Sequence, residues 1–227
     1  MIEYFDALDK NLLLLLNGSG NQYWDNFMWL FTGKLLWVPA ALGFIYSFLR
    51  KGWREGLMVL LFIVVVITLC DQISSGFFKP FFERLRPGHQ PVYQDMLTFV
   101  NNYRGGKYGF VSSHAANSFG FAVFTSLLFK RRLFTLSVLS WAVINTYSRL
   151  YLGVHFPGDV LVGGMIGVIV AYLLYQLYDV MHRMLFERFR LSRPTDPYKG
   201  EIPWVPQTIL WITVLGLAIA SPFITIG

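Results

Sequence analysis

The sequence predicts an all-α integral membrane protein: a bundle of six transmembrane helices preceded by an N-terminal helix lying in the membrane interface. Three observations carry this prediction. The 227 residues are 55% hydrophobic and only 14% charged, where ordinary soluble domains carry about 25% charge. Aromatic residues replace the missing charge, with 21 Phe, 12 Tyr and 7 Trp. Apolar stretches approaching the roughly 20 residues that a hydrocarbon layer demands recur along the chain, and the mean hydropathy is +0.48. Too little polar surface remains for a soluble globule. The composition also excludes a disordered chain, a nucleic-acid module and a disulfide-stapled secreted domain. Cys70 is the single cysteine, so no intrachain disulfide is expected.

The elements follow in order, within one domain over residues 1–227. Residues 1–20 form the interfacial segment. Over residues 3–16, Asp, Glu and Lys are interspersed with Leu and Phe, as in a helix that lays one face on the lipid boundary. No basic stretch precedes Leu12–Leu16, so no cleaved signal is expected. The first span runs from about Asn26 to Leu49, interrupted by Lys34 and Pro39. The second, Gly56–Phe78, contains LMVLLFIVVVITLC. The third and fourth, Ala115–Phe129 and Leu133–Tyr147, are a tight pair broken by Lys130, Arg131 and Arg132. The fifth covers Val160–Tyr178 and the sixth Val205–Ile226. Trp24, Trp29, Trp53 and Trp204 at span ends read as an aromatic belt.

With six spans the basic connections fall on one side. That side holds Arg50, Lys51, Arg54, Lys130, Arg131, Arg132, Arg183, Arg188, Arg190, Arg193 and Lys199, eleven of the 19 basic residues. The positive-inside rule makes it cytoplasmic and turns both termini outward. The net charge of +6 is therefore a topology signal rather than a nucleic-acid signal. The outward side carries one long loop, residues 79–111, rich in Gly, Pro, Asn, Tyr and basic residues. A loop of this length in a compact bundle is commonly functional.

Three clusters sit at helix ends on the outward side. Lys79, Arg86 and Pro87 close the second span. Val111, Ser112, Ser113 and His114 open the third. Ser148, Arg149, His155 and Asp159 bridge the fourth and fifth. Arg and Lys suit a tetrahedral oxyanion, and free N–H groups at a helix start favour the same ligand. Two histidines fit a nucleophile and a general acid. Asp159, four residues after His155, has the spacing to orient an imidazole. No clustered ligand set suggests a metal, and no cofactor is expected. Asp71 and Gln72 lie inside the second span, where a carboxylate suggests either function or a hydrogen bond to Ser74, Ser75 or a neighbouring helix. Arg84, Arg104, Lys107, Tyr93 and Tyr103 are candidate head-group contacts. The sequence assigns no role to His89 or His182.

These clusters resemble the three-part signature of the type 2 phosphatidic acid phosphatase family, which also includes vanadium haloperoxidases. Lys79, Arg86 and Pro87 meet its K-x6-R-P motif. Ser148, Arg149, His155 and Asp159 meet its S-R-x5-H-x3-D motif. Ser112 and His114 match its P-S-G-H motif, with Val111 in place of Pro and Ser113 in place of Gly. The resemblance implies that His155 attacks phosphorus to form a phosphohistidine, Asp159 holds its ring and His114 protonates the leaving oxygen. It implies that Lys79, Arg86, Arg149, Ser112 and the backbone near Ser113 cradle the phosphoryl oxygens, without a metal. The expected function is an integral membrane lipid phosphatase at the outer face of a bacterial inner membrane. Its expected substrate is a polyprenyl diphosphate such as undecaprenyl diphosphate. Lipid A phosphate, phosphatidylglycerophosphate and transfer to a second lipid are the alternatives. The expected partners are the lipid substrate and membrane lipids, with no nucleic acid and no obligatory protein partner. A transporter would spread its charges through the bundle depth, whereas here they gather at one edge.

Overall fold

The computed structural model describes residues 2–93, 95–188 and 198–224. Among them there are nine α-helices and no strand, only an isolated antiparallel bridge between Leu85 and Tyr108. Arg190 and Arg193 of the expected basic stretch, and Ile226 of the sixth expected span, lie outside the described residues.

Helix α1 (Ile2–Leu16) is followed by α2 (Gln22–Phe31), which starts on Asn21, whose side chain accepts from the Tyr23 N–H. After Gly33 a single 3₁₀ turn, Lys34–Trp37, leads into α3 (Val38–Leu49). Pro39 sits in the first turn of α3, where a missing N–H leaves no bond unmade. The break bends α2 from α3 by 64°. Lys34 and Pro39 therefore divide the first expected span into two differently directed helices.

Helix α4 (Trp53–Asp71) continues through a π-helical stretch, Gln72–Phe78, into the short α5 (Lys79–Phe82). The wider π turn accommodates Pro80, which has no N–H to give an α-ladder. The long loop thus begins at Glu83, in the left-handed region at φ 45°, rather than at Lys79, and Lys79 is fixed on a helix. Next come α6 (Ser113–Phe129), α7 (Arg132–Tyr151), α8 (Pro157–Arg188) and α9 (Trp204–Ala220).

Three helices are long and apolar enough to cross a membrane: Trp53–Phe82, Pro157–Leu185 and Trp204–Phe223. The bent α2–α3 pair makes a fourth if it is one span. Helices α6 and α7 fall outside that class. The first has 17 residues, and the second carries Asn145, Thr146, Ser148 and Arg149 among its buried positions. Helix α6 lies inside the bundle, against α8, α7 and α4, while α7 turns Leu133, Leu136 and Val143 outward. Protein covers α6 and the inner face of α7, which removes the need for a wholly apolar sequence. By contrast, only 28%, 33% and 22% of the apolar windows of the three long helices are buried. Exposed Leu57, Leu61 and Val64, then Leu161, Met165 and Ile169, then Ile212, Leu215 and Ile219 mark their outer faces. A soluble monomer rarely carries such apolar faces; the chain is an integral membrane protein.

The crossing of α6 and α8 is set by glycine. A Cβ at Gly163 would overlap the Ser112 carbonyl, and one at Gly167 the Ala116 carbonyl. Their four-residue spacing lets two helix backbones touch. Below that contact an aromatic core of Phe44, Phe48, Phe62, Phe124, Phe129 and Tyr178 fills the bundle. A smaller cluster joins Leu13 of α1 to Tyr93, Leu97 and Phe156. Lys130, Arg131 and Arg132 lie at the C-terminal end of α6; the three clusters of the expected site lie at its N-terminal end.

Candidate active site

The site forms where four segments meet at the start of α6. Ser112 is the N-cap: its Oγ accepts from the Ala115 N–H at 3.4 Å, and its own N–H donates to the Asp159 carbonyl at 2.9 Å. Ser113 and His114 therefore open the helix beside the α7–α8 connection. Along the α4–α5 axis, Asp71, Ser75 and Lys79 recur every four residues and face one another. Lys79 Nζ donates to Ser75 Oγ at 2.8 Å and to Ser113 Oγ at 3.3 Å, and Ser75 Oγ donates to Asp71 Oδ1 at 3.3 Å. Of the two readings of Asp71, the hydrogen bond to Ser75 is present.

His155 lies just before α8, and Asp159 in that helix's first turn. The His155 Nδ1–H donates to Asp159 Oδ2 at 3.3 Å, an oxygen that also accepts from the Phe156 N–H at 3.0 Å. With Nδ1 donating, the ring's lone pair falls on Nε2. Asp159 Oδ1 accepts from Arg84 Nη1 at 2.7 Å, while Arg84 Nη2 donates to Asp9 Oδ2 at 2.7 Å. Asp9 Oδ1 accepts from the Gly158 N–H at 2.6 Å. A residue of α1 thus braces both Arg84 and the start of α8.

The cations are arranged differently from membrane anchors. Arg149 is only 2% exposed. Its Nη1 donates to Thr32 Oγ1 at 2.9 Å and its Nη2 to the Tyr103 hydroxyl at 3.5 Å, while the buried Nε has no partner among the described residues. Arg86 is buried, and its Nε donates to the Tyr108 carbonyl at 3.1 Å. Among the described residues, no carboxylate lies within ion-pair distance of Lys79, Arg86 or Arg149. Burying charge without a counter-charge is costly, so this constellation is electrostatically complete only with an anion. Burial holds His155 well below the ordinary histidine value, and the charges of Arg86, Arg149 and Lys79 push it the same way. Both influences favour the uncharged ring, whose Nε2 lone pair a nucleophile needs.

The structure brings together Lys79, Arg86, Ser112, Ser113, His114, Arg149, His155 and Asp159. Two expected head-group contacts are placed elsewhere. Arg84 is held by two carboxylates behind His155, with its guanidinium 4.3 Å from the Phe156 ring centroid. Tyr93 is buried against Phe156 rather than facing lipid. Arg104 donates to the Gly88 carbonyl and stacks over Phe99, and Lys107 is exposed beside Tyr108. Trp29, expected in the aromatic belt, packs edge-on against Tyr103. Asp9, Thr32 and Lys34 were not read as site residues, because single polar residues far from the three clusters carry no spacing signal. Gly109 was missed as well: a Cβ there would meet Asp159 Oδ2 at 2.9 Å and Arg86 Cγ at 3.1 Å. It lies in a Gly-rich loop whose individual glycines look alike in sequence.

The model of the PAP2 superfamily matches residues 56–183, which contain all three clusters. A lipid A 4'-phosphatase of Bacteroides thetaiotaomicron is 42% identical over 221 residues, 96% of either chain. A lipid A 4'-phosphatase of Porphyromonas gingivalis is 39% identical over 201 residues, 88% of this chain and 85% of that one. An undecaprenyl-diphosphatase of Sulfolobus acidocaldarius is 28% identical over 182 residues, 78% of this chain and 77% of that one. No solved structure matches. The chain belongs to the PAP2 superfamily and is a hydrolase of the lipid phosphatase kind.

Proposed function

We propose that this protein removes a phosphate monoester from lipid A, with His155 as nucleophile. The observation that carries the chemistry is the set of three cations around His155, none of them within ion-pair distance of a carboxylate among the described residues. For the substrate, the lipid A 4'-phosphatases match nearly the whole chain at 42% and 39% identity, the undecaprenyl-diphosphatase at 28%. Lipid A phosphate therefore displaces the polyprenyl diphosphate expected from sequence. The phosphoryl oxygens lie among Lys79, Arg86, Arg149 and the first N–H groups of α6, where the helix dipole adds to the attraction. His155 Nε2 attacks phosphorus as the ester P–O bond breaks, and a protonated His114 gives its proton to the departing sugar oxygen. Asp159 stabilises the imidazolium that forms. Water then attacks the phosphohistidine, His114 takes its proton, the N–P bond breaks and inorganic phosphate leaves. Charge stabilisation comes from protein cations, so no metal is required.

We also read six crossings, with α6 and α7 as the third and fourth and α1 in the interface. The site then faces the periplasm of the inner membrane, because the basic end of α6 lies opposite. Arg104 and Lys107 stand at the site's outer rim, where a charged head group passes. Phosphate release by purified protein tests the reading against lipid A 4'-phosphate and undecaprenyl diphosphate, with and without EDTA. Faster release from lipid A, indifference to EDTA and loss of turnover in His155→Ala are expected. Preference for the diphosphate, a metal requirement or turnover surviving His155→Ala would overturn it.

A further inference from the structure

Beside His114 lies a cavity of about 420 Å³ that reaches into the bundle, within the range of small-molecule sites, about 300–1,000 Å³. It follows one face of α6 past Asn117 and Ser118 to Phe121. Those eight residues beyond Ser113 cover about 12 Å of helix. Asp71 lines it from α4, Trp141 from α7 and Trp37 from the turn before α3. The two indoles meet edge to face, with centroids 5.7 Å apart. Asn117 and Trp141, which line this cavity, each keep a buried polar atom, Oδ1 and Nε1, with no hydrogen-bond partner among the described residues. Asn145 Nδ2 donates to Ser118 Oγ at 2.7 Å, so that pair is satisfied. The mechanism gives none of these residues work, although a carboxylate and two unpaired polar atoms within a bundle are costly to keep.

We infer that this cavity is the leaving-group subsite and that it takes a pyranose ring carrying hydroxyl or amide groups. The inference rests on the phosphatase reading above, because a leaving oxygen protonated by His114 places the departing alcohol here. Asp71 and Asn117 Oδ1 accept hydrogen bonds, Trp141 Nε1–H donates one, and the indole faces cover a ring's apolar surface. Sugar hydroxyls supply both donors and acceptors. An acyl or isoprenoid chain supplies neither and would leave Asn117 Oδ1 and Trp141 Nε1 unpaired. A second phosphate would offer acceptors alone and would meet the Asp71 carboxylate. Lys34 also lines the cavity, but it is exposed and one charge against another does not select a diphosphate. Asp71 further touches the catalytic centre through Ser75 and Lys79, so an occupied subsite bears on the phosphate cradle.

The test measures selectivity: kcat/KM for an N-acylated glucosamine 4-phosphate divided by kcat/KM for a straight-chain alkyl phosphate. The purified full chain, Asn117→Leu, Asp71→Asn and Trp141→Phe are compared. The wild type should favour the sugar phosphate. Asn117→Leu and Asp71→Asn should each cut the ratio at least tenfold, and Trp141→Phe about threefold, as in sites built to hydrogen-bond a hydroxyl. A partly misfolded sample lowers both rates together and leaves the ratio unchanged, so misfolding does not imitate the expected result. An unchanged ratio in all three variants, or a wild type indifferent to the sugar, overturns the subsite. Lipid A turnover with an unchanged ratio would sink the subsite and leave the phosphatase reading standing. No lipid A turnover, with a sugar preference lost in the variants, would do the reverse.

Discussion

Arg149 places two N–H groups and one unpaired Nε in a nearly solvent-free setting, held by Thr32 and Tyr103 from separate segments. A lysine supplies the charge without the planar fork. Arg149→Lys is therefore expected to lower kcat/KM for a lipid phosphate by about a hundredfold. Thr32→Ala, which frees one anchor, is expected to lower it only severalfold; equal losses would show that charge placement does not depend on the fork. His155 bears on pH. It is held below the unfolded value of about 6.5, so below that pH the folded protein binds fewer protons than the unfolded chain. Stability without ligand then falls as pH drops from about 7 towards 5, which melting in detergent reads directly.

Elements determine whether those residues meet. The glycine contact of α8 on α6 sets the distance from Asp159 to the Ser112 turn. Gly163→Ala puts a methyl group into the Ser112 carbonyl and moves the start of α6 relative to His155. It is expected to lower turnover at least tenfold while the protein remains extractable and helical by circular dichroism. Unchanged turnover would show that α6 slides without consequence. Helix α1 lies outside the matched family region, yet Asp9 bonds both Arg84 and the Gly158 N–H. Asp9→Ala is expected to lower kcat about tenfold with KM little changed, because it loosens the support of Asp159 rather than the phosphate cradle. A change confined to KM would point to a substrate contact instead.

At the scale of the molecule, the phosphate cradle and the basic turn occupy opposite ends of α6. Cys70 is buried, so single cysteines introduced at the surface report on orientation. Lys107→Cys is expected to react with a membrane-impermeant maleimide added to spheroplasts, and Arg131→Cys only after permeabilisation. The opposite pattern would place the active site in the cytoplasm. The bundle itself mixes two kinds of helix. Those facing lipid show their character in an unbroken apolar run. Helix α6 and the inner face of α7, enclosed by protein, carry Ser113, His114, Ser148 and Arg149 of the candidate site.

The sequence by itself determined the membrane class, the positions of the long apolar helices and the eight-residue constellation from Lys79 to Asp159. Hydrophobicity is additive along a segment, and the motif spacings are local to helix ends, so neither needs a fold to be read. Only the tertiary structure decided that Arg84 braces Asp159 instead of reaching for lipid. It alone brought Asp9 and Thr32 to the site from outside the matched region, and it fixed Lys79 on a helix extended by a π turn. It also gathered Asp71, Asn117 and Trp141 around one cavity. Each of these depends on contacts between residues far apart in the chain, and long-range pairing leaves no periodic trace in a single sequence.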